Sequence, residues 1–483
     1  MNRKTVSIIL SAALAVSTLT MPLPWNQYTV KAEELNFKEN GYDTPEETAL
    51  AFVDAMKNKD IEQMLNLFAI ESYVQHYNIP ASLNSDLYSI STSLLPMDDN
   101  TFAQNMNLVQ RKCDIFFSMR CLYLSLSSCF DSNVISFDMI ENETSEDIIN
   151  DFSKIKNEDD IFNIEATGIQ DIHELYDKRS VSNTTYDDFI NTYKQEHQEE
   201  YGYDDWMPVI VQCNWNNLPI FLCMEVAKYE NTWLILTLGG LPISILGYPF
   251  RQVITPACLS EDEDAQTLFS TDLTEMLDEI TQKESTEDYE TEETVHEGYD
   301  TPEEAINVFF ENIKQNDLEN TLSSMGPTLQ YQNIDLKQEI ERSRLYQVVL
   351  NNKIPLSGKV VNLLNQEQTK SKNIYDIRNC YLSLVSDGVD YNTNTGYGIS
   401  DSEAFTNSLK GSDCSDLQYG NITEISDIQS LDKNKSNYSD QIIPDELKTF
   451  SVDIKLGEHS ATDNVQCSCY NGQWVVTLFY PQK

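Results

Sequence analysis

The chain has 483 residues and carries 78 acidic against 32 basic side chains, a formal net charge of −46. That charge disfavours two polyanionic partners, nucleic acid and anionic membrane. It suits a solvated acidic surface on a soluble protein.

The first residues read as a secretory signal. Asn2, Arg3 and Lys4 give a positive start, Val6 to Leu19 is largely apolar, and Val30-Lys31-Ala32 precedes a cleavage point before Glu33. The apolar run is short for a membrane helix and is interrupted by Pro22 and Pro24. Loss of residues 1–32 would leave 29 basic and 78 acidic side chains, 29 − 78 = −49. No membrane span is expected in the mature chain, and secretion, extracellular or at the cell surface, is the expected location.

Gly41-Tyr42-Asp43-Thr44-Pro45-Glu46-Glu47 recurs letter for letter as Gly298-Tyr299-Asp300-Thr301-Pro302-Glu303-Glu304. Seven identical residues in order mark two homologous domains. The motif is also a helix start. Thr44 and Thr301 are N-caps, Pro45 and Pro302 occupy the first helical position, and Glu47 and Glu304 have capping-box spacing. Capping accounts for most of its residues, so it is read as architecture and not as a binding site.

Ala49, Phe52, Val53 and Met56 then recur at helical spacing, as do Ile306, Phe309, Phe310 and Ile313. Asp60 and Asp317 are expected to cap a second helix in each copy. A third helix is predicted around Thr101 to Met119, and around Leu336 to Val349 in the second copy. Arg120-Cys121-Leu122-Tyr123-Leu124-Ser125-Leu126 matches Arg378-Asn379-Cys380-Tyr381-Leu382-Ser383-Leu384. The Tyr-Leu-Ser-Leu alternation predicts a strand there with one buried face. Thr167–Leu175 resembles Thr423–Leu431 and keeps the copies collinear. The first copy alone has a further helical segment, Tyr186 to Tyr201, and a tail, Gly239 to Thr255.

Both copies close on three strands. They are Val209–Asn214, Ile220–Tyr229 and Trp233–Leu238, then Phe450–Leu456, Val465–Tyr470 and Trp474–Phe479. Asn471-Gly472 predicts a two-residue hairpin turn, because both residues tolerate positive φ. Between the copies, Ser260 to Glu297 is rich in Glu, Asp, Ser and Thr and predicts an extended linker. The expected layout is a signal peptide at 1–32, domains at 36–259 and 296–483, and an acidic linker at 260–295. Helices followed by antiparallel strands define an α+β class: two tandem domains, each with N-terminal helices packed on a curved antiparallel sheet.

A first helix opening on Asp-Thr-Pro-Glu-Glu, a short second helix opening on Asp and a final hairpin bearing Trp233 or Trp474 resemble the nuclear-transport-factor-like superfamily. The likeness is to small secreted bacterial members of unknown function. The resemblance implies a cystatin-like cone, in which sheet and helices enclose a pocket, and a bacterial source. The superfamily holds isomerases and dehydratases beside non-catalytic binding domains, so the resemblance assigns no chemistry.

Motifs that carry chemistry are sparse. His76, His173, His197, His296 and His459 have no metal-ligand spacing, and His173 aligns with Gln429. There is no Gly-x-Ser-x-Gly, P-loop or dinucleotide glycine motif. No catalytic residue, metal site or cofactor is expected. Asp390 to Gly396 compares with a calcium loop, but its Gly falls one residue late and Asp401 stands where Glu is needed; a polar turn explains it. Ten cysteines in a secreted chain permit disulfides, and buried thiols are the other reading. Asn142, Asn183, Asn421, Asn434 and Asn437 begin glycosylation sequons that matter only in a eukaryotic host.

The best repeated polar pairs are Arg120 with Tyr123 and Arg378 with Tyr381. Placed at a helix–strand junction facing the cone, they are candidate ligand-binding residues for an anion or carbonyl. The competing account makes each Tyr half-buried core and each Arg the partner of a surface acid. The expectation is a non-enzymatic binding or interaction protein whose partner is an unknown protein or small molecule. The alternative is an isomerase- or dehydratase-like enzyme working by acid–base chemistry in one cone.

Overall fold

The computed structural model describes residues 38–78, 101–129, 162–179, 185–242, 257–259, 298–327, 414–425, 444–457 and 459–481, with single positions elsewhere. The expected signal peptide, the expected acidic linker and the stretch Asp390–Gly396 lie outside the described residues.

The first repeat opens with α1 (Pro45–Lys57), α2 (Ile61–Asn66), α3 (Glu71–His76) and the long α4 (Thr101–Cys129). The caps stand where the sequence places them. Thr44 Oγ1 accepts from Glu47 N–H at 3.2 Å, and Asp60 Oδ1 from Gln63 N–H at 2.9 Å. There follow β1 (Ile164–Ile169), α5 (Ile172–Arg179), α6 (Tyr186–Tyr201), β2 (Asp205–Trp215), β3 (Leu218–Tyr229), β4 (Thr232–Leu238) and β5 (Ala257–Leu259). The sheet order is β1-β2-β3-β4, antiparallel throughout, with β5 added to β3 beyond the end of β4.

The second repeat has α7 (Pro302–Lys314) and α8 (Leu318–Ser324), capped by Thr301 and Asp317 in the same way. Its sheet is β6 (Gln418–Glu424), β7 (Glu446–Leu456), β8 (His459–Tyr470) and β9 (Gln473–Pro481), in that order. Asn471 and Gly472 both take positive φ, as the hairpin reading requires. The protein is thus α+β, with two tandem helix-and-sheet domains.

The opening motif does more than cap. Tyr42 and Trp233 exchange both backbone hydrogen bonds, at 3.3 and 2.9 Å; Tyr299 and Trp474 do the same at 2.9 and 2.8 Å. Each domain's first residues are therefore tied to its last hairpin. Gly41 is required by this closeness, since a Cβ there would lie 1.9 Å from the Trp233 carbonyl oxygen. Gly298 sits at φ +109°, a conformation that glycine reaches without strain.

Two expectations are corrected. Arg120–Leu126 is not a strand, because it is the last part of the 29-residue helix α4. Arg378 and Tyr381 are likewise helical. Met119, Leu122, Tyr123 and Leu126 are all buried at spacings of three and four, which a helix face satisfies better than the short alternation does. In the second copy, the helical positions equivalent to α4 lie between 360 and 381, and Leu336–Val349 falls outside the described residues.

Each sheet buries its inner face against its own first helices. Val209, Val211, Cys213, Ile220, Leu222, Met224, Val226 and Ile235 meet Phe52, Met56 and Phe68 in the first core. Phe450, Val452, Ile454, Val465, Cys467 and Val476 meet Phe309, Phe310 and Ile313 in the second. The outer faces differ. In the first repeat α5 and α6 lie over it, making a second apolar layer with Phe221, Cys223, Ala227, Leu234 and Leu236.

Candidate functional site

The four sequence-derived residues are all interior. Arg120 has no exposed surface, Tyr123 is 1% exposed, Tyr381 3% and Arg378 6%. Three residues apart on a helix, each Arg and its Tyr share a face. The Tyr123 ring lies edge-on to Phe162 at 5.4 Å, and its hydroxyl is 4.0 Å from Met64 Sδ. The Tyr381 ring lies 6.1 Å from that of Phe102, which comes from the other repeat. Tyr123 and Tyr381 are packed among apolar side chains, each in a different core.

A different polar centre lies between β3 and α6. Strand alternation puts Ile220, Leu222, Met224 and Val226 on the inner face, so Glu225 points outward beneath α6. It is 5% exposed. Glu225 Oε1 accepts from Leu241 N–H at 2.7 Å and from the Tyr193 hydroxyl at 3.4 Å. Its Oε2 accepts from Trp206 Nε1 at 3.2 Å. Burial pushes the carboxyl up to about 7, and these three donors hold it back from rising further. Gly240, at φ +71°, allows the chain to pass over the carboxylate, because a Cβ there would be 2.1 Å from Oε1.

From Glu225 an aromatic file runs along α6. Tyr193, His197 and Tyr201 recur at four-residue intervals and so face the sheet together. Ring centroids are 4.6 Å apart for Trp206–Tyr193, 4.5 Å for Tyr193–His197, 5.8 Å for His197–Tyr201 and 5.7 Å for Tyr201–Tyr73. The file ends at Arg111 of α4, whose guanidinium lies 4.1 Å from the Tyr73 ring centre. Arg111 also donates to the Ala69 and Leu236 carbonyls at 2.9 and 2.6 Å. His197 is 2% exposed and neither ring nitrogen has a hydrogen-bond partner. Burial pushes its imidazole down to about 4. Burial, and then the Glu225 charge, raises Tyr193 well above the usual tyrosine range.

This arrangement can hold a proton on a carboxylic acid near neutral pH beside a phenol, an indole and a neutral imidazole. The sequence did contain a signal for it. Glu225 is the one charged residue between Leu218 and Ala227, a run otherwise apolar apart from it, and its neighbours Met224 and Val226 belong to the core face.

Among the described residues, no group of three or more His, Cys, Asp or Glu side chains is placed to hold a metal ion. No helix among them is long and apolar enough to cross a membrane. Cys113, Cys213, Cys223, Cys414, Cys467 and Cys469 are buried, and Cys467 and Cys469 share the inner face of β8. The side chains of the remaining four cysteines lie outside the described residues.

No family model matches the chain, and no curated protein matches it. Among solved structures, it is similar to a cystatin-like protein from Ruminococcus gnavus at 10% identity and a TM-score of 0.48, over 90% of this chain and 92% of that one.

Proposed function

We propose that the chain is a secreted, non-enzymatic binding or interaction protein, built from two homologous cone-shaped domains of the nuclear-transport-factor-like kind. Its ligand or partner is a protein or small molecule whose identity is open. The observation that supports this reading is the packing of the two repeated tyrosines inside the cores. Tyr123 packs on Phe162 and Tyr381 against Phe102, so the two tyrosines that both repeats keep serve packing. Direct ligand contact by Arg120, Tyr123, Arg378 and Tyr381 would need one of these cores to open. Secretion is tested by sequencing the N-terminus of protein recovered from culture medium; Glu33 as first residue agrees, and recovery only inside cells contradicts it.

One observation favours the enzymatic alternative. Glu225 is a buried carboxyl near neutral pKa with a tyrosine hydroxyl at 3.4 Å, the pairing that acid–base catalysis uses. Carbodiimide coupling of the native protein followed by peptide mapping separates the readings. A structural Glu225 stays unmodified until the fold is opened. Modification of Glu225 ahead of the surface carboxylates would support the enzyme and sink the non-enzymatic reading.

A further inference from the structure

We propose that the two repeats exchange helices and form one interlocked unit, each repeat's core being completed by side chains of the other. Helix α4 serves two cores. Its rear half, with Ile115, Phe116, Met119, Leu122, Tyr123 and Leu126, packs in the first. Its front end, with Phe102, Ala103 and Met106, packs in the second among Phe309, Phe310 and Phe450. The second repeat returns the arrangement. Val360 and Leu364 pack in the first core, whereas Ile374, Ile377 and Tyr381 pack in the second.

The exchange is symmetric residue by residue. Arg120 and Arg378 lie 258 positions apart. The same shift carries Phe102 to Val360, Met106 to Leu364, Phe116 to Ile374, Met119 to Ile377 and Tyr123 to Tyr381. In each copy the front pair crosses to the partner core and the rear three stay at home. All ten side chains are at most 3% exposed. A surface patch that contacts its own counterpart is the signature of a two-fold, isologous interface, realised here within one chain. The 6.1 Å contact of the Phe102 and Tyr381 rings lies at the crossing. Were the repeats to part, Phe102, Met106, Val360 and Leu364 would face water, which opposes separation. The acidic linker is then a connection and not the element that keeps the repeats together.

The test cuts the linker of the intact, folded protein at a protease site inserted after Glu287, followed by gel filtration at low protein concentration. The interlock predicts that the halves co-elute as one species and unfold in a single transition. Two separately eluting, compact halves would overturn it. The double variant Phe102→Asp with Leu364→Asp places charge in both crossings, and its cut halves should dissociate at least tenfold more readily. If that variant does not fold, Phe102→Ala serves, with faster exchange of cut halves against labelled ones. Exchange as slow as in the unmutated cut protein would also overturn the proposal, because the crossing would then not be what holds the halves.

Discussion

The two sheets carry equivalent inner faces and unlike outer ones. With the hairpins aligned on Trp233 and Trp474, Glu225 corresponds to Gln466, Cys223 to Asn464, Phe221 to Thr462, Ala227 to Ser468 and Trp206 to Leu447. In the first repeat these positions lie under α6. In the second, among the described residues, no helix covers them, and the connection from β6 to β7 (425–445) is shorter than that from β1 to β2 (170–204). One face is thus an apolar second layer around a single buried acid, and at the matching positions the other carries Ser, Thr, Asn and Gln beside Leu447. The inner residues were constrained by a shared core, while the outer ones followed what was laid over them.

The largest expected effect breaks this comparison on the shared side. Phe102→Ala removes a fully buried ring and should cost about 3–5 kcal/mol. The loss should appear as faster amide exchange in β7–β9 of the second repeat, although Phe102 belongs in sequence to the first. Loss confined to β2–β4 would contradict the packing.

Next come the two buried titrating groups, which oppose each other. Glu225 has a folded pKa raised from 4.5 to about 7. Its contribution to stability is full below pH 4.5 and is lost as pH rises through 7, about 3 kcal/mol over the window. His197 has a folded pKa lowered from 6.5 to about 4. Its contribution is full above pH 6.5 and is lost as pH falls through 4, by a similar ~3 kcal/mol. Between pH 4.5 and 6.5 the slopes cancel, so these two sites leave the stability of the unmutated layer level there. In Glu225→Gln, stability should rise with pH from 4 to 6.5, because only His197 still titrates. In His197→Phe, stability should fall as pH rises from 4.5 to 7. Denaturant unfolding across this range checks both, and parallel profiles for the two variants would refute the pairing.

Smaller effects sharpen the comparison. Thr44→Ala and Thr301→Ala should each cost about 1 kcal/mol, and equally, since both hydroxyls accept the same N–H at 3.2 Å. Unequal thermal shifts would show that the two starts are not equivalent. Smallest of all, Gln466→Glu should change stability by no more than about 0.5 kcal/mol near neutral pH, because that partly exposed position keeps a carboxylate in reach of water. A shift as large as that of Glu225 would mean that the second outer face is as dry as the first.

Much of this architecture was legible from local chemistry. Thr44, Asp60, Thr301 and Asp317 cap where expected, the closing strands stand at their predicted places, and α6 spans Tyr186–Tyr201 as read. The end of α4 was not legible, because four alternating residues satisfy a strand as well as a helix face when the longer range Met119–Leu126 is ignored. The link from Tyr42 to Trp233 was hidden because it joins backbones 191 positions apart and leaves no mark in side-chain pattern. Glu225 was lost among 78 acidic residues. What distinguishes it is its place within an apolar strand, a signal that abundance in the whole chain masks.

The first repeat's outer face is a closed layer gathered around Glu225. The direct measurement is the side-chain carboxyl carbon shift of Glu225, followed by NMR as pH is raised, with Glu225→Gln used for assignment. A midpoint near 7 is the predicted result. A midpoint near 4.5, the ordinary value, would show a hydrated carboxylate and contradict the layer.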